Sequence, residues 1–341
     1  MSNARREIFL ESMNIILLSG GSGKRLWPLS NDVRSKQFIP FFKNKQGAYE
    51  SMVQRMYHSI KRIDSDANVL IAAGETQIPL LKEQLGEDIH ISVEPARRDT
   101  FPAIVLAVAY SRDVMHVNEN ENVIVCPVDP YVNDDYFEAL KRLDSIVSDN
   151  ESNLSLIGIE PTEPASKYGY IIPKDNQPIS EVLRFAEKPD TEIAKKYIEQ
   201  GALWNAGIFG FKIGYMLNRA KELLNFTDYQ SFYAHYETAT KISVDYAVVE
   251  HEPSIRVMRF NGRWEDLGSW NAFTEFMEGP VFGKGVLNNC SNVKLVNETD
   301  TMVVVNGLSD AIVAVSKDGV YVASKAKPDQ IKKILEENGY N

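Results

Sequence analysis

The chain is poor in the groups that build covalent or metal frameworks: its 341 residues include 2 cysteines and 5 histidines. Cys126 and Cys290 lie in different segments, which excludes a disulfide scaffold and a thiolate zinc site and leaves each as a small buried residue. The histidines are scattered without metal-ligand spacing. No apolar run approaches the roughly 20 residues that a bilayer-crossing helix needs, so no membrane partner is expected. Positive charge is also short, with 37 Lys and Arg against 47 Asp and Glu and a net charge of −10. That balance argues against a nucleic-acid polymer as partner while leaving room for a local basic pocket. Residues 1–12, MSNARREIFLES, hold no signal-type apolar core and read as an N-terminal extension or expression remnant outside the fold. What remains is 44% hydrophobic, enough for one large α/β domain and a smaller partner, and the whole describes a cytoplasmic enzyme.

The most informative segment is residues 17–30, LLSGGSGKRLWPLS. Gly20, Gly21 and Gly23 can bring backbone N–H groups close to an anion, and Lys24 and Arg25 add positive charge. The preceding run Asn14 to Leu18 reads as a buried parallel strand, so the turn falls at its carboxyl end, where open α/β sheets bind ligands. A Walker-type loop ending at Lys24 would need glycine at position 18 and Ser or Thr at 25, where the chain has Leu18 and Arg25. A dinucleotide fingerprint begun at Gly21 would need a third glycine where Leu26 stands. A nucleotide-phosphate turn of another kind, or a plain strand-to-helix turn, is left.

Apolar periodicity predicts further strands at 69–73, 123–127, 154–159, 182–185 and 208–211, with helices at 48–62, 103–115 and 136–148. The alternation predicts a mostly parallel sheet with helices on both faces. Near Gly279-Pro280 the pattern changes to short β pieces at 286–287, 293–296, 302–305, 311–315 and 320–323, then a helix at 328–337. The domain boundaries expected are 13–279 and 280–341.

The string GGSGKRLWPLS followed by RSKQF (34–38) resembles the opening of the sugar-1-phosphate nucleotidyltransferases, and most closely of the mannose-1-phosphate guanylyltransferases. The similarity recurs in order at 94–104 (EPARRDTFPAI), 123–132 (VIVCPVDPYV), 157–171 (IGIEPTEPASKYGYI), 185–189 (FAEKP), 203–209 (LWNAGIF), 243–250 (SVDYAVVE) and 262–270 (GRWEDLGSW). The resemblance implies a Rossmann-like catalytic domain and a small C-terminal β domain similar to a left-handed β-helix, although the sequence shows no strict hexapeptide period. It also implies attack by a sugar 1-phosphate oxygen on the α-phosphorus of a nucleoside triphosphate, with Mg²⁺ and cationic side chains neutralising the anions.

Carried onto this sequence, the resemblance makes Asp129 and Asp266 the metal-binding carboxylates. Asp129 stands between Val128 and Pro130, where the family usually has Ser and His. Arg25 and Lys36 match the cations that hold the triphosphate, and Lys188 the lysine that grips the sugar phosphate. Leu18, Gly20, Gly21, Ser22, Gly23, Lys24, Glu94 and Asp99 fall on the nucleotide side, with 94–100 resembling the base-reading loop. Tyr168, Gly169, Glu187, Asn205, Gly207 and Asp245 fall on the sugar side. For Trp204 and Tyr170, core packing competes with that role.

The expected activity is transfer of GMP from GTP to mannose 1-phosphate. Two alternatives stay open: a sister enzyme with another base or sugar, and a catalytically weak nucleotide-sugar-binding regulator, which the altered neighbours of Asp129 suggest. The β pieces after Pro280 carry none of the matched motifs and are expected to support assembly, as a homodimer, or to brace the catalytic part.

Overall fold

The computed structural model describes residues 12–340 apart from 22, 32, 328 and 329. Expectations for 1–11, for Ser22, for the Lys24 side chain and for the first turn of a helix at 328 therefore lie outside the described residues.

The main sheet has nine strands: β1 (Asn14–Leu18), β2 (Asn68–Gly74), β3 (His90–Glu94), β4 (Asn122–Pro127), β5 (Leu154–Ile159), β6 (Tyr170–Pro173), β7 (Ile179–Ala186), β8 (Leu203–Lys212) and β9 (Ile255–Phe260). They hydrogen-bond in the order β3-β2-β1-β4-β8-β5-β9-β7-β6. The first four run parallel. β8 then lies antiparallel to β4 and β5, β9 parallel to β5, and β7 antiparallel to β9 and β6. The architecture is mixed α/β, and the expectation of a mostly parallel sheet holds only for the β3-to-β4 half. Part of the reason is local: the short connection 174–178 makes β6 and β7 a hairpin, whose strands must run antiparallel.

Alternation along β1 sorts the core into two layers. Ile15 and Leu17 pack with Val53, Met56 and Ile60 of α1 (Met52–Ile63) and with Phe137, Leu140 and Leu143 of the helix 134–148. Ile16 packs on the other face with the helix 100–113, whose run from Ala103 to Ala109 is wholly buried, and with Met216 and Leu217 of the helix 213–224. The helix expected from residue 48 begins at Met52 because 49–50 form a short strand and Ser51 caps the helix, its side chain accepting from the Gln54 amide.

Beyond Pro280, β10 (Val281–Phe282), β11 (Gly285–Asn288), β12 (Lys294–Asn297), β13 (Val303–Asn306), β14 (Ala311–Ser316) and β15 (Gly319–Ser324) precede a helix at Ile331–Glu337. Gly285 lies opposite Val303, Ser291 opposite Ser309 and Lys294 opposite Ile312, all in parallel register, so the chain coils with a repeat of 18 residues. The corners repeat as well: Asn289 and Gly307 have φ of 47° and 74°, and Asn292 and Asp310 have 52° and 50°. These are left-handed conformations that Asn, Asp and Gly tolerate. A third apolar cluster joins the coil to the rest, with Val296, Ile312, Ala314, Ile331 and Leu335 packed with Leu26, Leu29, Phe41, Trp270 and Phe273. No helix among the described residues is long and apolar enough to cross a membrane. Cys126 is fully buried beside Tyr136, and burial pushes its thiol up to about 12, whereas Cys290 is only half-buried, contrary to expectation.

Candidate active site

The carboxyl ends of β1 and β4 open onto a cavity of about 380 Å³. Arg25, Lys36, Asp129, Lys188 and Asp266 all line it, although they come from widely separated segments. Gly20, Gly21, Tyr168, Gly169, Glu187, Asn205, Gly207 and Asp245 line it too. Leu18, Glu94 and Asp99 are not among its walls.

A two-stranded ladder brings the two aspartates together. Residues 264–266 pair antiparallel with 130–132, and Asp266 falls opposite Pro130, the residue after Asp129. Lys36 Nζ lies between them, 3.0 Å from Asp129 Oδ2 and 3.4 Å from Asp266 Oδ1. Burial opposes the charge on Lys36, but the two carboxylates outweigh it and hold its pKa above the ordinary lysine value. The short turn that carries Lys36 is fixed from behind, where Gln37 Nε2 donates to the Ser19 carbonyl at 2.5 Å. Val128 is buried in the core and so does not reach the cavity, while Pro130 does. Of the glycines in the turn, Gly21 takes a φ of 144°, which suits no other residue.

The opposite wall comes from β7, β8 and the helical turn at 244–247. Lys188 sits just past β7 with φ of 45°, and its Nζ lies 2.6 Å from Glu187 Oε1. β8 shifts register between Asn205 and Phe209, and Gly207 takes φ of 71° in that irregularity. The bulge turns Asn205 toward Asp245, to whose Oδ1 its Nδ2 donates at 2.7 Å. Burial, reinforced by repulsion from Glu187, pushes the Asp245 carboxyl up to about 7. A Cβ on Gly169 would fall 2.6 Å from Glu187 Oε2, so a side chain there would displace the Glu187 carboxylate from this wall. Trp204 and Tyr170 belong to the core: both are buried, and Trp204 Nε1 donates to the Tyr170 hydroxyl at 3.0 Å.

Glu94 lies beside the glycine turn, with Oε1 3.8 Å from where a Cβ on Gly20 would stand. Its Oε2 accepts from the Tyr236 hydroxyl at 3.1 Å, and burial raises its pKa. Asp99 caps the helix 100–113, its side chain accepting from the Thr100 amide at 2.7 Å. Cavity residues that the sequence did not mark as site residues include Trp264 and Lys167. Trp264 stands two positions before Asp266 and so on the same face of the short strand, which at three residues is too brief to show a period in the sequence. Lys167 lies over the Tyr168 ring, 4.7 Å from its centroid, and only its place beside Tyr168 hinted at the site.

Among the described residues no group of three or more His, Cys, Asp or Glu could hold a metal. The cavity offers the Asp129 and Asp266 carboxylates, hard oxygen donors already sharing one cation in the Lys36 ammonium. Such a pair fits a small divalent ion that takes one or two carboxylates and fills its other positions with phosphate oxygens and water.

A glycine turn at strand ends, paired carboxylates and cations on facing walls are groups suited to holding phosphates on an α/β scaffold. The nucleotidyl transferase family profile matches residues 14–279, and the chain belongs to that family. A Vibrio cholerae protein provisionally named a mannose-1-phosphate guanylyltransferase is 31% identical, over 94% of this chain and 73% of its own length. The Escherichia coli K12 mannose-1-phosphate guanylyltransferase is 29% identical, over 94% and 72%. A crystal structure described as mannose-1-phosphate geranyltransferase from Thermus thermophilus superposes with a TM-score of 0.79 at 27% identity, covering 97% of this chain and all of that one.

Proposed function

We propose that this protein transfers GMP from GTP to mannose 1-phosphate, giving GDP-mannose and pyrophosphate. The observation that carries the reading is the convergence of Arg25, Lys36, Asp129, Lys188 and Asp266 on one cavity, in a chain whose relatives bear that activity in their names. No protein nucleophile is needed, because the sugar phosphate attacks the α-phosphorus itself and pyrophosphate leaves. The protein's work is to hold two anions together in line.

Arg25 and Lys36 take the triphosphate, with the backbone of Gly20 and Gly21 turning around its phosphates at the end of β1. Glu94, beside the glycine turn, reads the guanine edge, where a carboxylate accepts from N1–H and the exocyclic amine, while Asp99 holds the loop by capping the helix 100–113. Lys188 takes the sugar phosphate. Glu187, Asn205 and Asp245 meet the sugar hydroxyls, and Gly207, Tyr168 and Gly169 shape the wall around them. Asp129 and Asp266 would hold Mg²⁺, which when bound neutralises and orients the phosphate oxygens. Residues 13–279 form the catalytic domain and 280–341 a module, whose 18-residue coil supports a left-handed β-helix reading. We place the enzyme in the cytoplasm as a homodimer.

Pyrophosphate release, measured for four nucleoside triphosphates against several sugar 1-phosphates, tests the proposal. GTP with mannose 1-phosphate should lead, and Glu94→Ala should narrow the gap, because a site that pairs with one base edge leaves buried groups unmatched by the others. Faster turnover with UTP or dTTP would move the chain to a sister activity.

A further inference from the structure

Trp27, Pro28, Asn31 and Arg34, which lie in sequence between Arg25 and Lys36, touch the C-terminal module. Arg34 donates through Nη1 and Nη2 to the two carboxylate oxygens of Glu298, each at 2.8 Å. The pair is largely shielded, with side-chain exposures of 29% and 17%. Ser316 Oγ donates to the Pro28 carbonyl at 2.6 Å, and Asn31 Nδ2 donates to Asp318 Oδ2 at 2.6 Å. Gly319 passes so close to the Trp27 ring that a Cβ there would fall 2.6 Å from two of its carbons. From the catalytic side, Trp270 Nε1 donates to the Trp27 carbonyl at 3.2 Å.

These contacts differ from generic packing between modules because they fall on one stretch, flanked by the two cations that line the cavity. A bidentate guanidinium–carboxylate pair fixes both distance and direction, which a single point charge does not. Shielding makes it worth more than an exposed ion pair.

We propose that the C-terminal module positions Arg25 and Lys36, with Arg34 and Glu298 as the positioning residues that set the site's affinity for the nucleoside triphosphate. The proposal rests on the triphosphate assignment above for its ligand, but the clamp itself consists of the contacts of Trp27, Pro28, Asn31 and Arg34. Sub-ångström displacement of two phosphate-binding cations weakens binding at that end of the cavity and leaves the sugar-phosphate wall intact.

The test compares the full-length protein with Glu298→Gln, Arg34→Gln and the exchanged pair Arg34→Glu with Glu298→Arg, by amide hydrogen exchange and by KM for each substrate. The clamp predicts faster exchange confined to peptides over 23–38 in both single variants. It also predicts a roughly tenfold rise in KM for GTP, with KM for mannose 1-phosphate and kcat little changed. The exchanged pair should recover both. Unchanged exchange over 23–38, loosening shared by the whole sheet, or equal rises in both KM values would overturn it. If the unaltered protein turned over no GTP at all, the functional assignment would fall, and the exchange data would still decide for or against the clamp.

Discussion

Asp245 is the residue whose environment departs furthest from that of an ordinary surface carboxylate. Its carboxyl is pushed up from 3.8 to about 7 by burial and by Glu187. Across that window the native state holds a proton that the unfolded chain has already released. The contribution of Asp245 to stability is therefore greatest below about 3.8, falls as pH rises through the window and stays low above about 7. Asp245→Asn keeps an acceptor for Asn205 but cannot ionise, so it should flatten this slope and raise the melting temperature at pH 8. A melting series from pH 4 to 8 checks it, and an unaltered slope in the variant would remove Asp245 as its source. The strain at Lys188, with φ of 45°, sits on the same wall, as expected where binding geometry outweighs local preference.

At the scale of elements, the apolar runs 14–18 and 154–159 were legible as strands because burial on both faces leaves a continuous hydrophobic signature. β8 was visible only from residue 208 onward, since the bulge at Asn205 to Phe209 breaks the period that marks a strand. The ladder that pairs Asp266 with the residue after Asp129 was not legible at all: three residues give no periodic signal, and their partner lies more than a hundred positions away. The C-terminal module shows the same limit, for its 18-residue repeat is plain in register and corner conformations but across those registered turns amounts in residue identity to three pairs, Val286 and Val304, Asn288 and Asn306, Ser291 and Ser309. Its packing is nevertheless substantial. Leu26, Leu29, Phe41, Trp270 and Phe273 are buried in the cluster it shares with the catalytic part. Each such side chain is worth roughly 1.5–3 kcal/mol, so exposing several approaches the ~5–15 kcal/mol that stabilises a typical domain. A chain ending at Gly279 should therefore melt at a much lower temperature or aggregate. Calorimetry and light scattering test this, and unaltered melting and mass would contradict it.

At the scale of the whole molecule, the mixed sheet divides the candidate site. The parallel half supplies the glycine turn, Asp129 and, through the turn held to Ser19, Lys36. The half with antiparallel pairings supplies Lys188, Asn205 and, from the adjoining helical turn, Asp245. On the proposed function each half would neutralise one of the two anions that direct transfer brings together, and the separate motifs share a cavity because β8 joins the halves edge to edge. The most direct measurement is the pair of KM values, for GTP and for mannose 1-phosphate, in Arg25→Ala and in Lys188→Ala. The account predicts a crossed pattern, with Arg25→Ala chiefly weakening use of GTP and Lys188→Ala chiefly weakening use of mannose 1-phosphate. Equal losses for both substrates in both variants would contradict it.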